Sequence, residues 1–146
     1  MTCQSIYVFD NASRTVIDSS DLTNGPSIGL FFDSGVLHSI EVDAFGKIII
    51  RNFKTGQLLW QYQTNYALNI PQVSADGTKL YSIGSVVNGN SLKILLYDIL
   101  SNTEKTIAEL PFLLGGSSPF DNFVLSDDNK KMIFQSGNDL YLKVLD

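Results

Sequence analysis

Four short apolar runs in this chain close on an acidic or amide side chain, at Asp10, Asn52, Asp98 and Asp146, so the ending recurs every 42 to 48 residues. The runs fall in Ser5–Asp10, Lys47–Phe53, Leu92–Asp98 and Leu140–Leu145. They are rich in Ile, Val, Leu, Tyr and Phe, are bounded by turn formers, and hold no sustained period of 3.6. A second marker runs in phase with the first. Ser74-Ala75-Asp76-Gly77-Thr78-Lys79-Leu80-Tyr81 is echoed by Ser126-Asp127-Asp128-Asn129-Lys130-Lys131-Met132-Ile133, and more loosely by Asp33-Ser34-Gly35-Val36-Leu37. A repeat of this length made of strands commits the chain to a series of similar sheets. One such unit cannot bury its own apolar face and must stack on its neighbours.

The turns between strands follow from backbone sterics. Tight hairpins need Asp, Asn or Gly where φ turns positive. Asp76-Gly77 and Asp128-Asn129 therefore mark the first hairpin of their units. Asp43–Gly46, Asn88–Asn90 and Gly137-Asn138 mark the second, and Asn11–Arg14, Lys54–Gly56 and Ser101–Thr103 the third. Strands covered on both faces read as near-continuous apolar runs, which is the pattern of Ile48-Ile49-Ile50 and Ile94-Leu95-Leu96. Thr103–Leu110 carries Ala108 and two glutamates but is short and flanked by breakers, so it reads as a strand.

These residues resemble the blades of WD-repeat and quinoprotein-like β-propellers. Val8-Phe9-Asp10 and Leu96-Tyr97-Asp98 are similar to the aromatic-Asp ending of a WD blade. Ser74–Leu80 and Ser126–Met132 resemble the Ser-x-Asp-Gly-x-Lys turn of TolB-type propellers. Phe53-Lys54-Thr55-Gly56-Gln57-Leu58-Leu59-Trp60 resembles the Thr-Gly-x-x-x-Trp segment of quinoprotein-like blades, whose Trp packs between blades. The resemblance implies an all-β fold, a β-propeller arc of four-stranded antiparallel blades. It departs from the family pattern at two points. The chain's single histidine, His38, is not preceded by Gly, and no Trp-Asp pair is present. No acidic cluster of a quinone-dependent dehydrogenase is recognisable, so no quinone site carries over.

Composition narrows the function classes. The 146 residues are 44% apolar and 17% charged, which excludes a disordered chain. No apolar run exceeds four side chains, whereas a membrane helix needs about 20, so no membrane insertion is expected. Ten basic against fifteen acidic residues give a net charge of -5, and the basic residues are scattered. A duplex-binding domain carries a basic stripe, so nucleic acid is not an expected partner. The lone Cys3 forms no internal disulfide and fits a reducing compartment. The N-terminus carries no signal-peptide pattern, and the expected location is intracellular, in the cytoplasm.

Chemistry-bearing residues are sparse. His38 could serve as a base or ligand, but a metal site needs several converging ligands, and a buried structural role accounts for it. No Gly-x-Ser-x-Gly elbow supports a serine triad. Asp33, Asp43, Asp76, Asp127 and Asp128 lack the order of a calcium loop, and turn chemistry accounts for them. Gly115-Gly116 lacks the Lys-Ser/Thr tail of a phosphate cradle and reads as a link. Trp60 and Tyr62 share one strand face and, with Tyr66, could stack on a sugar or base; core packing between units is the competing role. No catalytic residue, metal or cofactor is expected.

The sequence divides into two strands over 1–20, four over 28–64, four over 67–112 and three over 119–146. That makes thirteen, where the smallest typical closed propeller has about sixteen. The expectation is an incomplete ring, finished by a longer chain, a second copy or a partner subunit. Its function would then be that of a non-catalytic protein-interaction scaffold. The edge strands would carry the partner contacts, through Ile6, Tyr7, Val8 and Phe9 at one end and Tyr141, Leu142, Lys143 and Val144 at the other. The competing expectations are a quinoprotein-like or lactonase-like sensor or enzyme-associated propeller, and a lectin-like module.

Overall fold

The computed structural model describes residues 3–10, 14–23, 27–86, 91–111, 123–136 and 139–145, with backbone alone for 3–10, 15–23, 27–28, 111, 136 and 139. The hairpins expected at Asn88–Asn90 and Gly137-Asn138, the start of the one at Asn11–Arg14, and the Gly115-Gly116 link lie outside the described residues. Within them the chain is all-β, and every strand pair is antiparallel.

The strands form four sheets in chain order. The first pairs β1 (Cys3–Asp10) with β2 (Thr15–Thr23). The second runs β3 (Ser27–Asp33), β4 (Val36–Val42), β5 (Lys47–Asn52), β6 (Leu58–Gln63). In the third, β7 (Ala67–Leu68) and β8 (Gln72–Val73) both pair with β9 (Lys79–Ser85), followed by β10 (Ser91–Asp98) and β11 (Thr103–Pro111). The fourth is β12 (Phe123–Leu125), β13 (Lys131–Ser136) and β14 (Asp139–Val144). Thr103–Leu110 is indeed extended. Between β7 and β8 stands Pro71, which has no N–H for the ladder. Hydrogen bonds bridge the gap there, from Asn69 N to Ile83 O and from Ser82 Oγ to Asn69 O.

The sequence repeat is visible atom by atom in the turns. Four residues past each strand-ending Asp10, Asn52 and Asp98 stands a left-handed residue, Arg14, Gly56 and Asn102 respectively. The Asn52 and Asp98 side chains each accept the amide three residues on, from Thr55 and Ser101. The strand that follows carries a bulge in all three cases. The Asp-Gly and Asp-Asn turns share one wiring. Ser74 Oγ donates to Asp76 Oδ1 at 2.6 Å, and Ser126 Oγ to Asp128 Oδ1 at 2.5 Å. Each serine oxygen then accepts the amide five residues on, Lys79 or Lys131. Gly77 and Asn129 take the positive φ. At Gly46 the need is double: φ is 78°, and a Cβ would stand 2.7 and 2.8 Å from the Tyr66 and Thr64 carbonyls.

The third sheet is packed on both faces. Leu80, Leu95 and Tyr97 meet Ile40, Ile48 and Ile50 of the second sheet, with Phe31, Trp60, Tyr62 and Tyr66 around them. Tyr81, Ile83, Leu92 and Ile94 point the other way, into Phe123, Met132, Phe134 and Leu145 of the fourth sheet and its edge. Alternation along β10 assigns its residues to two cores in turn, so the run Ile94-Leu95-Leu96 is apolar throughout. Gln72 joins the third sheet to the fourth by its amide: Nε2 donates to Phe123 O, and Oε1 accepts Leu125 N at 2.9 Å.

Candidate interaction surface

The fourth sheet presents its second face to solvent. Register places Val124 opposite Ile133 and Ile133 opposite Leu142, in one row across three strands. Leu140 and Val144 flank that row on β14. Their exposures are 62% for Val124, 47% for Ile133, 75% for Leu140, 63% for Leu142 and 55% for Val144. The reverse face of the same strands holds Met132 at 0% and Phe134 at 5%. Among the described residues no strand pairs with the outer edge of β14, which leaves its backbone groups open to another strand.

The edge residues expected to dock a partner divide by face. Leu142 and Val144 lie on the open face. Tyr141 turns inward, its ring stacked on Phe134 with centroids 5.4 Å apart. Lys143, opposite Met132, also lies on the inward side and is half-buried. Ile6, Tyr7, Val8 and Phe9 stand on β1, which pairs with β2 alone among the described residues; their side chains lie outside the description. Sequence reasoning missed Val124, Ile133 and Leu140. Alternation on either side of the Asp128-Asn129 turn was the signal that could have found the first two, because it sets Val124 and Ile133 on one face.

The remaining candidates are absorbed by packing. His38 is buried, its ring stacked on Phe31 at 5.1 Å, and its Nδ1 has no hydrogen-bond partner. Trp60 lies against Tyr62, ring planes 12° apart, and its Nε1 donates to Asn102 Oδ1 at 3.1 Å. Tyr62 in turn meets Tyr97 with the ring planes tilted by 60°. Thr64 sits between the second and third sheets, donating to Glu104 Oε2 at 2.5 Å and taking the Tyr97 hydroxyl at 3.3 Å. Burial pushes the Tyr97 hydroxyl's pKa upward, and desolvation with Glu104 nearby does the same to Tyr62. This is a structural seam, with the tyrosines held neutral.

The turn aspartates behave as turn residues. The Ser74 hydroxyl and then the Thr78 amide and hydroxyl hold Asp76 down at about 2. Ser126 and the Lys130 amide lower Asp128, and the Ser101 amide and hydroxyl lower Asp98. Each carboxylate spends its acceptor capacity on its own loop. Among the described residues no group of three or more His, Cys, Asp or Glu is placed to hold a metal ion. No helix there is long and apolar enough to cross a membrane. No protein-family model matches the chain, and no curated protein matches its sequence.

Proposed function

We propose that the chain is a non-catalytic interaction scaffold, a β-propeller-type arc of stacked sheets that docks further β-structure on the open side of β12–β14. One observation carries the reading. Strand β14 has the make-up of a strand covered on both faces, yet one of its faces is open. Antiparallel strands with one wet face alternate apolar and polar residues. In β14 the run Leu140-Tyr141-Leu142-Lys143-Val144 interrupts its apolar residues once, at Lys143, and that side chain lies on the inward face. The closest internal comparison is β10, whose Leu92-Lys93-Ile94-Leu95-Leu96 also has one lysine and is packed on both sides. The serial stacking of the second, third and fourth sheets and the repeated turn wiring support the propeller-type reading of the arc.

The test is the size at which the chain travels in extract of the cells that make it. An epitope-tagged chain is expected to elute well above its own 16.1 kDa, and Leu142→Lys to bring it back toward that mass with an unchanged circular dichroism spectrum. Elution of the unsubstituted chain at its own mass would refute the scaffold.

A further inference from the structure

Aligned on the strand endings, the open face of the fourth sheet corresponds to two faces that the molecule covers. Ile48, Ile94 and Leu142 each stand four residues before the acidic or amide ending of their repeat, Asn52, Asp98 and Asp146, and face Val42, Ile83 and Ile133 on the preceding strand. The first two pairs are buried, at 6% and 0% and at 2% and 0%. The third is open. A surface that continues an established series of sheet-on-sheet contacts is fitted for another sheet.

Area and charge identify which one. The five apolar side chains leave on the order of 400–500 Å² uncovered, the size of the largest apolar patch on a typical monomer, which is often functional. That is over half of the roughly 800 Å² each partner gives to a stable interface. The stem of Lys131, opposite Val144 at the margin, adds to it. Lys131 is the one charge among the described residues of that face. The outward face of the second sheet is different. Its middle holds the Glu41–Arg51 ion pair at 3.4 Å, with Ile49 directly across from Glu41. An apolar sheet laid on it would strip water from two charges. Laid on its own equivalent, the fourth sheet buries almost no charge.

We infer that the outer face of β12–β14 packs against the same face of a second copy of this chain, forming a closed two-fold dimer. The inference rests on the scaffold reading and names its occupant. A two-fold contact uses one patch on both molecules and stops at two, with strands of the facing sheets within about 30° of each other.

Sedimentation of the purified 146-residue chain tests this. The expected species is a dimer of the 16.1 kDa chain that dissociates on dilution. Leu142→Lys and Ile133→Lys are each expected to weaken it at least about a hundredfold, as burying an unpaired charge does. Phe32→Lys, at an exposed site on the second sheet, should leave it unchanged. Two substitutions guard against one that merely unfolds the sheet, and circular dichroism checks both. A dimer indifferent to both lysines, or open-ended growth beyond two, overturns the inference. So does a purified chain that stays monomeric. If the tagged chain in extract still travels in a larger, Leu142-dependent complex, the scaffold reading stands and only the second copy falls. If it is monomeric there too, both fall.

Discussion

Ile94 and Leu142 occupy the same place in successive repeats, and truncating each to alanine should have very different consequences. Ile94 is fully buried among Tyr81, Ile83, Met132 and Phe134. Ile94→Ala removes three carbons, about 2.4 kcal/mol of transfer free energy at about 0.8 each. The cavity left between two sheets adds to that, for a total of about 3–4 kcal/mol. Leu142 is 63% exposed, so Leu142→Ala in the single chain forfeits about a third of the transfer contribution and leaves no cavity. Its loss should be about 1 kcal/mol or less. Urea unfolding followed by fluorescence and circular dichroism measures both. Dilute samples report the single chain, and concentrated ones add whatever the covered face contributes through mass action. The gap should therefore narrow as protein concentration rises. Equal losses in the dilute limit would refute the assignment of faces. So would an Ile94→Ala loss below about 1 kcal/mol, because the third sheet would then not be packed on both sides.

Three further outcomes follow from single residues. His38→Phe keeps a ring on Phe31 and removes the orphaned Nδ1, so the same urea assay should show a gain of about 1 kcal/mol. Gly46→Ala meets two backbone carbonyls at a positive φ, whereas Gly56→Ala has the positive φ but open space around it. The first should lose more than about 2 kcal/mol and the second about 1, in thermal or urea unfolding. Asp76 is held at about 2 by Ser74 and Thr78. A carboxylate depressed by folding contributes stability that is present above its unfolded value of 3.8 and is lost as pH falls toward about 2. Ser74→Ala should raise the Asp76 carboxyl titration seen by NMR and move that loss to higher pH.

The turns were the most legible part of this chain. Positive φ is tolerated by few residues, so Gly46, Gly56, Gly77, Asn102 and Asn129 announce their conformations from type alone. Ser34 and Arg14 also take positive φ without being residue types that favour it. Their neighbours impose it: Ser34 stands with Gly35 in a two-residue hairpin, and Arg14 holds the place of Gly56 and Asn102. The split of the third sheet's first strand into β7 and β8 was less legible. Pro71 signals a break, but only the pairing of Ala67 with Ser85 and of Gln72 with Tyr81 shows both pieces on one strand. The interaction surface was half legible. An edge strand can be found by counting strands, but its two faces are told apart only once the neighbouring strand's register is known.

Residue order by itself determined the all-β class, the repeat and the turns, because these depend on local sterics and on a period of two along each strand. It also marked β5, through Ile48-Ile49-Ile50, and β10, through Ile94-Leu95-Leu96, as strands apolar on both sides. Only the tertiary arrangement decided that β10 is covered twice and β14 once. Coverage is a relation between distant segments: Ile94 is buried because Met132 and Phe134 stand against it, and Leu142, of the same chemical kind, is open because nothing described stands against it.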